Sequence, residues 1–124
     1  MDPKHNGSPL FVFFLKIVHK VHKGFYTGNG HRIGYKQLCA AIPCYARDDT
    51  QSLTKELYPS IARRFGYPNC GPVEHAIRLA ILDGWERGRR EVWEGYFPCA
   101  LRPPSNKLFI ATLAERLKQI DPQS

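Results

Sequence analysis

The chain has 124 residues, of which 43% are hydrophobic and 23% are charged, so it is long enough to form one domain with its own core. This composition excludes collagen-like, intrinsically disordered and membrane-spanning classes. The 18 lysines and arginines outnumber the 11 aspartates and glutamates, and the formal net charge of +7 favours anionic partners such as nucleic acid or acidic lipid.

The positive charge is concentrated in the N-terminal part of the sequence. No acidic residue occurs from Pro3 to Arg47, whereas the same stretch carries seven lysines and arginines and four histidines. A solvated basic face and a surface that releases counterions from phosphates both fit this distribution.

The N-terminal residues are predicted to form a flexible leader and one helix. Residues 1–8 are polar and make up the leader. Ser8 as the N-cap, followed by proline at the first helical position, predicts a helix over Pro9–Lys23. Its apolar run, Leu10–Val18, contains Lys16, is shorter than the roughly 18–20 residues that cross a bilayer, and lacks a signal-peptide cleavage site. We therefore expect a cytoplasmic protein with reduced thiols.

A second helix is predicted after a turn at Thr27–Gly30. Apolar residues recur there at helical spacing, at Tyr35, Leu38 and Ile42. Pro43 is expected to end or bend this helix, and the polar stretch from Arg47 to Ser52 is predicted to be a loop.

The segment from Leu53 to Phe65 has apolar residues at helical spacing, but Pro59 lies in its middle. Because proline in a helix interior removes a hydrogen bond, we expect a short turn and then a new helix over Ser60–Phe65, with the proline near its start. Ser52 or Thr54 is predicted to cap the first part.

The next two segments predict a helix-turn-helix. Gly66–Gly71 is rich in turn residues, and Pro72 is typical of a first helical position, so a helix is predicted from there to Gly88. In a helix-turn-helix the second helix lies in the major groove of DNA while the first crosses the backbone. The same pattern also fits two packed helices of any small α-helical domain, and both interpretations remain open.

The C-terminal part is predicted to hold two more helices. Glu91–Phe97 favours a short helix over a strand, and the prolines that follow it indicate a loop. Ser105 or Asn106 is expected to cap the last helix, and residues 121–124 form a tail. The whole pattern predicts an all-α fold of about six helices, with the domain over residues 9–120.

The cysteines and histidines do not form a typical metal or catalytic pattern. None of the four cysteines belongs to a C-x-x-C pair: they are Cys39, Cys44, Cys70 and Cys99. A zinc site that joins two of them to His19 and His22 would have a cysteine spacing outside the common pattern, so we expect the cysteines to be small buried hydrophobic residues. We predict no enzymatic activity, no metal, no cofactor and no small-molecule substrate.

Three blocks of sequence carry a specific combination of motifs: SLTKELYPSIARRF at 52–65, VEHAIRLAI at 73–81 and PSNKLFIA at 104–111. A weaker block, HRIGY, lies at 31–35. Together these blocks resemble the C-terminal DNA-binding effector domain of the stage-zero sporulation response regulator, protein A, of endospore-forming bacteria. The resemblance covers roughly Leu10 to Ile120.

This resemblance implies an all-α effector domain that binds double-stranded DNA sequence-specifically and regulates transcription during sporulation. In the family the domain follows a phosphorylatable receiver domain, and we expect this chain to act without one, because the effector accounts for its whole length. The residues expected to contact phosphates are Lys55, Arg63, Arg64 and Lys107. Those expected to reach base edges are Asn69, Glu74, His75 and Arg78.

The sequence departs from the family pattern on the helix that reads bases. Pro72 and His75 stand where the family carries arginines, and Leu79 and Leu82 replace polar residues on the same side. Because a bidentate arginine–guanine contact discriminates by about 1–3 kcal/mol, we expect a changed target sequence. The alternative is a protein-interaction module that docks through the two leucines. By resemblance we also expect a monomer that pairs with a second copy only on adjacent DNA sites.

Overall fold

The computed structural model describes residues 29–87 and 90–120. Within these two ranges the chain forms five α-helices and no β-strand, which confirms the all-α prediction. The helices are α1 (Asn29–Arg47), α2 (Tyr58–Phe65), α3 (Gly71–Arg87), α4 (Arg90–Tyr96) and α5 (Asn106–Ile120), and a single π-helical turn (Leu53–Leu57) leads into α2. None of the described helices is long and apolar enough to cross a membrane.

Several predictions fall on residues outside the two described ranges. These are the leader at 1–8, the first helix at Pro9–Lys23, the stop at Gly88 and the tail at 121–124. The predicted short helix near Glu91 is confirmed as α4.

Helix α1 begins at Asn29, inside the predicted turn. Of the two expectations for Pro43, an end of the helix is wrong, because the helix continues through the proline to Arg47. An interior proline costs a helix about 3 kcal/mol. The turn beyond Pro43 carries Tyr45 and Ala46, which are only 7% and 5% exposed, and burying them in the core offsets that cost.

The start of α2 follows the predicted local signals. Ser52 Oγ accepts a hydrogen bond from the backbone N–H of Lys55 at 3.2 Å, and the backbone N–H of Ser52 donates to Glu56 Oε1 at 2.6 Å. This reciprocal capping satisfies two N–H groups at the start of the π-helical turn. Pro59 then lies in the first turn of α2, where its missing N–H has no helical partner to lose.

A left-handed glycine ends α2 and opens the turn to α3. Gly66 has φ of 80°, and the N–H of Tyr67 donates to Ala62 O at 2.8 Å. Only glycine adopts this conformation without strain, so the sequence sets where α2 stops. Helices α2 and α3 with the five residues between them form the predicted helix-turn-helix unit.

The core is built around a close crossing of α1 and α3. A Cβ atom added to Gly34 would lie 2.1 Å from the backbone oxygen of Ala76 and 3.1 Å from the Cβ of Ala80. The two backbones therefore touch at a point where no side chain fits between them. The largest fully buried aliphatic residues belong to one core cluster: Leu38, Ile42, Leu57, Ile61, Val73, Ile77, Ile81 and Ile110.

An aromatic cluster holds α4 against α3 and α5. The ring of Trp93 lies 5.3 Å from that of Trp85, 5.8 Å from that of Phe97 and 5.6 Å from that of Phe109. Its indole Nε1 donates to the backbone oxygen of Gly84 at 2.8 Å. The polar atom of this buried tryptophan is thus satisfied, and α4 is fixed in rotation as well as in position.

The C-terminal half of α5 is tied to the loop after α1. Lys118 Nζ donates to Asp49 Oδ2 at 2.7 Å, and this hydrogen bond lowers the pKa of Asp49 and raises the pKa of Lys118. Both side chains are largely in contact with solvent, so the pair contributes little to stability.

The crossing at Gly34 generates a stability prediction. Gly34→Ala is expected to lower the free energy of unfolding by about 1–3 kcal/mol, because overpacking outweighs the ~1 kcal/mol by which alanine favours a helix. Gly95→Ala in α4 is the control, since its added Cβ would meet no atom within 4 Å. Urea titration of both variants measures the difference, and equal stabilities would contradict the close crossing.

A buried amide in α1 generates a second stability prediction. Gln37 is 0% exposed, and neither polar atom of its side chain has a hydrogen-bond partner among the described residues. Gln37→Met keeps the length of the side chain and removes the unsatisfied amide, so we expect about 1 kcal/mol of added stability. Gln51→Met is the control and should be destabilising, because Gln51 Nε2 donates to Asp48 O at 2.8 Å. The scheme fails if thermal unfolding shows both variants shifted in the same direction.

Candidate nucleic-acid interface

An open groove of about 840 Å³ lies where the N-terminal turns of α3 and α5 approach the π-helical turn. Both helix N-termini present the positive ends of their dipoles to this groove. The groove is lined by residues of three segments: Thr54 of the π-helical turn and Tyr58 at the start of α2, Glu74, His75 and Arg78 of α3, and Arg102, Ser105, Asn106 and Lys107 at and before the start of α5.

The first turn of α3 is exposed on one side of the groove. Asn69 Oδ1 accepts a hydrogen bond from the N–H of Gly71 at 3.0 Å, and this side-chain cap starts the helix. Glu74 and His75 follow within the first two turns and are exposed, whereas Val73 and Ile77 are fully buried. The spacing of the buried residues therefore leaves the polar ones to solvent, as a DNA-reading helix requires.

A polar clamp joins the other side of the groove to α3. Arg78 Nη1 donates to Pro104 O at 2.7 Å and lies 3.4 Å from Asn106 Oδ1. Asn106 Nδ2 donates to the hydroxyl of Tyr58 and to the backbone oxygen of Glu74, both at 3.2 Å. Burial raises the pKa of Tyr58 above its ordinary value, and the oxygen of its hydroxyl accepts the hydrogen bond from Asn106.

The structure brings four of the eight predicted DNA-contacting residues to the groove. Glu74, His75 and Lys107 are exposed there, and Arg78 is half-buried with one nitrogen held by the clamp. The other four predicted residues are exposed but do not line the groove. They are Lys55 in the π-helical turn, Arg63 and Arg64 in the last turn of α2, and Asn69 in the turn between α2 and α3.

Arg102 is a groove residue that was not among those predicted to contact DNA. This exposed arginine lines the groove opposite α3, and no hydrogen bond or ion pair involves it within the described part of the chain. The sequence does mark this position, because two prolines and then Ser105, the capping residue of α5, follow Arg102. Ser105 Oγ accepts a hydrogen bond from the N–H of Leu108 at 3.1 Å. A residue directly before such a stiffened helix start is held in a defined position.

Among the described residues, no group of three or more histidine, cysteine or acidic side chains could hold a metal ion. The prediction that the cysteines are buried is met only in part. Cys39, Cys44 and Cys70 are half-buried and pack against the core, and desolvation raises the pKa of Cys39 to about 11. Cys99, by contrast, is exposed in the loop after α4, with φ of 63° and its N–H donating to Glu94 Oε2 at 2.9 Å, so the expectation that it is buried is wrong. The loop needs a left-handed residue at that position, and the turn carries the side chain away from the core.

Comparison with protein-family models yields a match over residues 18–117, to the family described as "Sporulation initiation factor Spo0A C terminal". The matched range contains α1 to α4, most of α5 and every residue that lines the groove.

The contrast between two thiols provides a pH-dependent prediction. Iodoacetamide reacts with the thiolate, so Cys99 should be alkylated first at pH 8 and Cys39 last. The rate at Cys39 should rise about tenfold per pH unit towards its raised pKa. Mass spectrometry of the alkylated peptides gives both rates. Comparable rates at pH 8 would contradict the burial of Cys39.

Proposed function

Because this chain belongs to the family of the sporulation initiation factor Spo0A C-terminal domain, we propose that it is a sequence-specific, double-stranded-DNA-binding regulator of sporulation-related transcription. One observation carries the proposal at the site: the exposed first turn of α3, in a helix-turn-helix, forms one wall of a groove rimmed by positive side chains. We propose that the chain acts in the cytoplasm and not as an enzyme.

In the proposed complex, the N-terminal turns of α3 enter the major groove and α2 crosses the phosphate backbone. Lys55 precedes α2, and Arg63 and Arg64 lie in its last turn, so these three exposed side chains would contact phosphates. Lys107, in the first turn of α5, would contact the backbone from the other side of the groove. Phosphate contacts of this kind fix the register of the helix on the duplex.

Base contacts are proposed for the groups at the start of α3. Glu74 and His75 are exposed and offer a carboxylate and an imidazole to base edges. Asn69 uses its oxygen to cap α3, which leaves its amide NH₂ as the group available for DNA. Arg78, predicted from the sequence to reach a base edge, lies on the same face, but its Nη1 already donates within the protein.

The alternative function, a protein-interaction module, was suggested by Leu79 and Leu82. Both side chains are half-buried, so they offer less apolar surface than fully exposed leucines would. Among the described residues, the large apolar side chains with the greatest exposure are Leu101 at 96% and Leu108 at 52%, beside the start of α5. A protein partner would therefore be expected to contact these two residues rather than the recognition helix.

Pairing of two copies is proposed to occur only on DNA. Apolar residues recur at helical spacing in α5, at Leu108, Phe109, Leu113 and Leu117, and the core uses most of them: the last three are buried and Leu108 is exposed. Little apolar surface on this helix is left for a stable dimer in solution. Two copies on adjacent DNA sites would instead be held together by their shared duplex.

The salt dependence of binding tests the proposed function. If five to seven phosphates are neutralised, log affinity should fall against log salt with a slope of roughly −5 to −6. Arg64→Ala should reduce the steepness of that slope by about one. Fluorescence anisotropy with a labelled duplex measures both slopes. The proposal is abandoned if the chain binds no duplex at low salt.

Sequence selection separates base reading from phosphate contact. After selection of bound duplexes from a random library, His75→Ala should change the preferred bases at one or two positions, at a cost of about 1–3 kcal/mol at the original site. Arg64→Ala is the matched variant and should weaken binding to all sequences alike. Identical effects of the two variants on every sequence would refute this division of roles.

A further inference from the structure

We propose that Arg102 is a specificity-determining residue that contacts a guanine beside the bases read by α3, and that Arg78 is a positioning residue that fixes the loop carrying it. This inference rests on the proposed function and concerns the same groove. It assigns the base-contacting guanidinium to a loop rather than to the recognition helix.

The availability of the guanidinium distinguishes the two arginines. Arg78 is half-buried, and its Nη1 lies 2.7 Å from Pro104 O and 3.4 Å from Asn106 Oδ1. Turning it towards DNA would leave the carbonyl of Pro104, a buried residue, without this donor. Arg102 is exposed, lines the groove and has no hydrogen-bond or ion-pair partner within the described ranges, so its whole donor fork is free for a ligand.

The loop that carries Arg102 is fixed more firmly than an ordinary surface loop. Two prolines follow it directly and restrict φ at successive positions. The second of them, Pro104, is buried, and its carbonyl accepts from Arg78. Asn106 then ties the start of α5 to Tyr58 and to the backbone of α3. The Cα of Arg102 therefore has a defined position relative to the helix that enters the DNA.

A fixed position matters for a base contact and hardly at all for a phosphate contact. An arginine pairs with O6 and N7 of guanine through two parallel hydrogen bonds, and this geometry tolerates little displacement of the side chain. A phosphate accepts hydrogen bonds over a wide range of directions, and flexible lysines suffice for it. The anchored loop thus favours base contact by Arg102 and backbone contact by its exposed neighbour in the groove, Lys107.

No other arginine in the described part of this face is free to play this part. Arg63 and Arg64 lie on α2 and do not line the groove. The first turn of α3 supplies Glu74 and His75 but no guanidinium. Among the described groove-lining residues, Arg102 is the one whose fork is both exposed and unpaired.

The experiment uses the full chain and the duplex it selects from a random library. Each guanine of that duplex is replaced in turn by 7-deazaguanine, which lacks the N7 acceptor, and affinities are measured for the wild type and for Arg102→Ala. We expect one guanine at which the replacement weakens wild-type binding about 5- to 150-fold and leaves the variant unaffected. Arg47→Ala, an exposed arginine at the end of α1 away from the groove, is the matched control and should keep the full penalty.

Arg78 is tested at the same guanine. Arg78→Ala should reduce the 7-deazaguanine penalty there, and Arg78→Lys should restore it in part, because lysine keeps a donor for Pro104 O.

If Arg78→Ala instead abolishes the penalty at a different guanine, Arg78 reads bases itself and the positioning role is overturned. If Arg102→Ala lowers affinity uniformly and keeps every penalty, Arg102 contacts phosphate and the inference is overturned while the proposed function stands. Failure of the wild type to bind any duplex defeats both.

Discussion

The contact between Gly34 of α1 and the backbone oxygen of Ala76 in α3 sets the position of the recognition helix. A Cβ at residue 34 would lie 2.1 Å from that oxygen, so the helices approach at a distance that only glycine permits. Because Ala76 directly follows His75, the crossing fixes the part of α3 that faces the groove. The buried residues Val73 and Ile77 then fix its rotation, which leaves Glu74 and His75 exposed.

The polar clamp extends this rigidity to the other wall of the groove. Arg78 and Asn106 connect α3, the start of α5 and Tyr58 at the start of α2 through hydrogen bonds of 2.7–3.4 Å. The guanidinium of Arg78, on the recognition helix, is thereby used inside the protein. The sequence alone had predicted that it contacts DNA. The arrangement favours a division of labour in which one arginine orders the loop and another, on that loop, meets the ligand.

Two features of α1 lower the stability of the fold, and the well-packed core around them offsets this loss. Pro43 removes a hydrogen bond from α1, and Gln37 is completely buried with no partner for its amide among the described residues. Both lie on the helix that carries Gly34, whose neighbours Leu38 and Ile42 are fully buried. Burial of such aliphatic side chains contributes about 1.5–3 kcal/mol each, so the two together offset the cost of either local defect.

The sequence by itself determined the features that depend on a few neighbouring residues. Four such signals act within one helical turn, and the structure has them as predicted. They are Ser52 as a cap, Pro59 in the first turn of α2, Gly66 as the end of that helix and Ser105 as the cap of α5. The family itself followed from short motifs of the same kind.

Tertiary structure decided the rest, because contacts between residues far apart in sequence leave no local signal. The continuation of α1 past Pro43 depends on the core that buries Tyr45 and Ala46. The partner of Arg78 is 26 residues away, and the exposure of Arg102 depends on how that distant loop packs against α3.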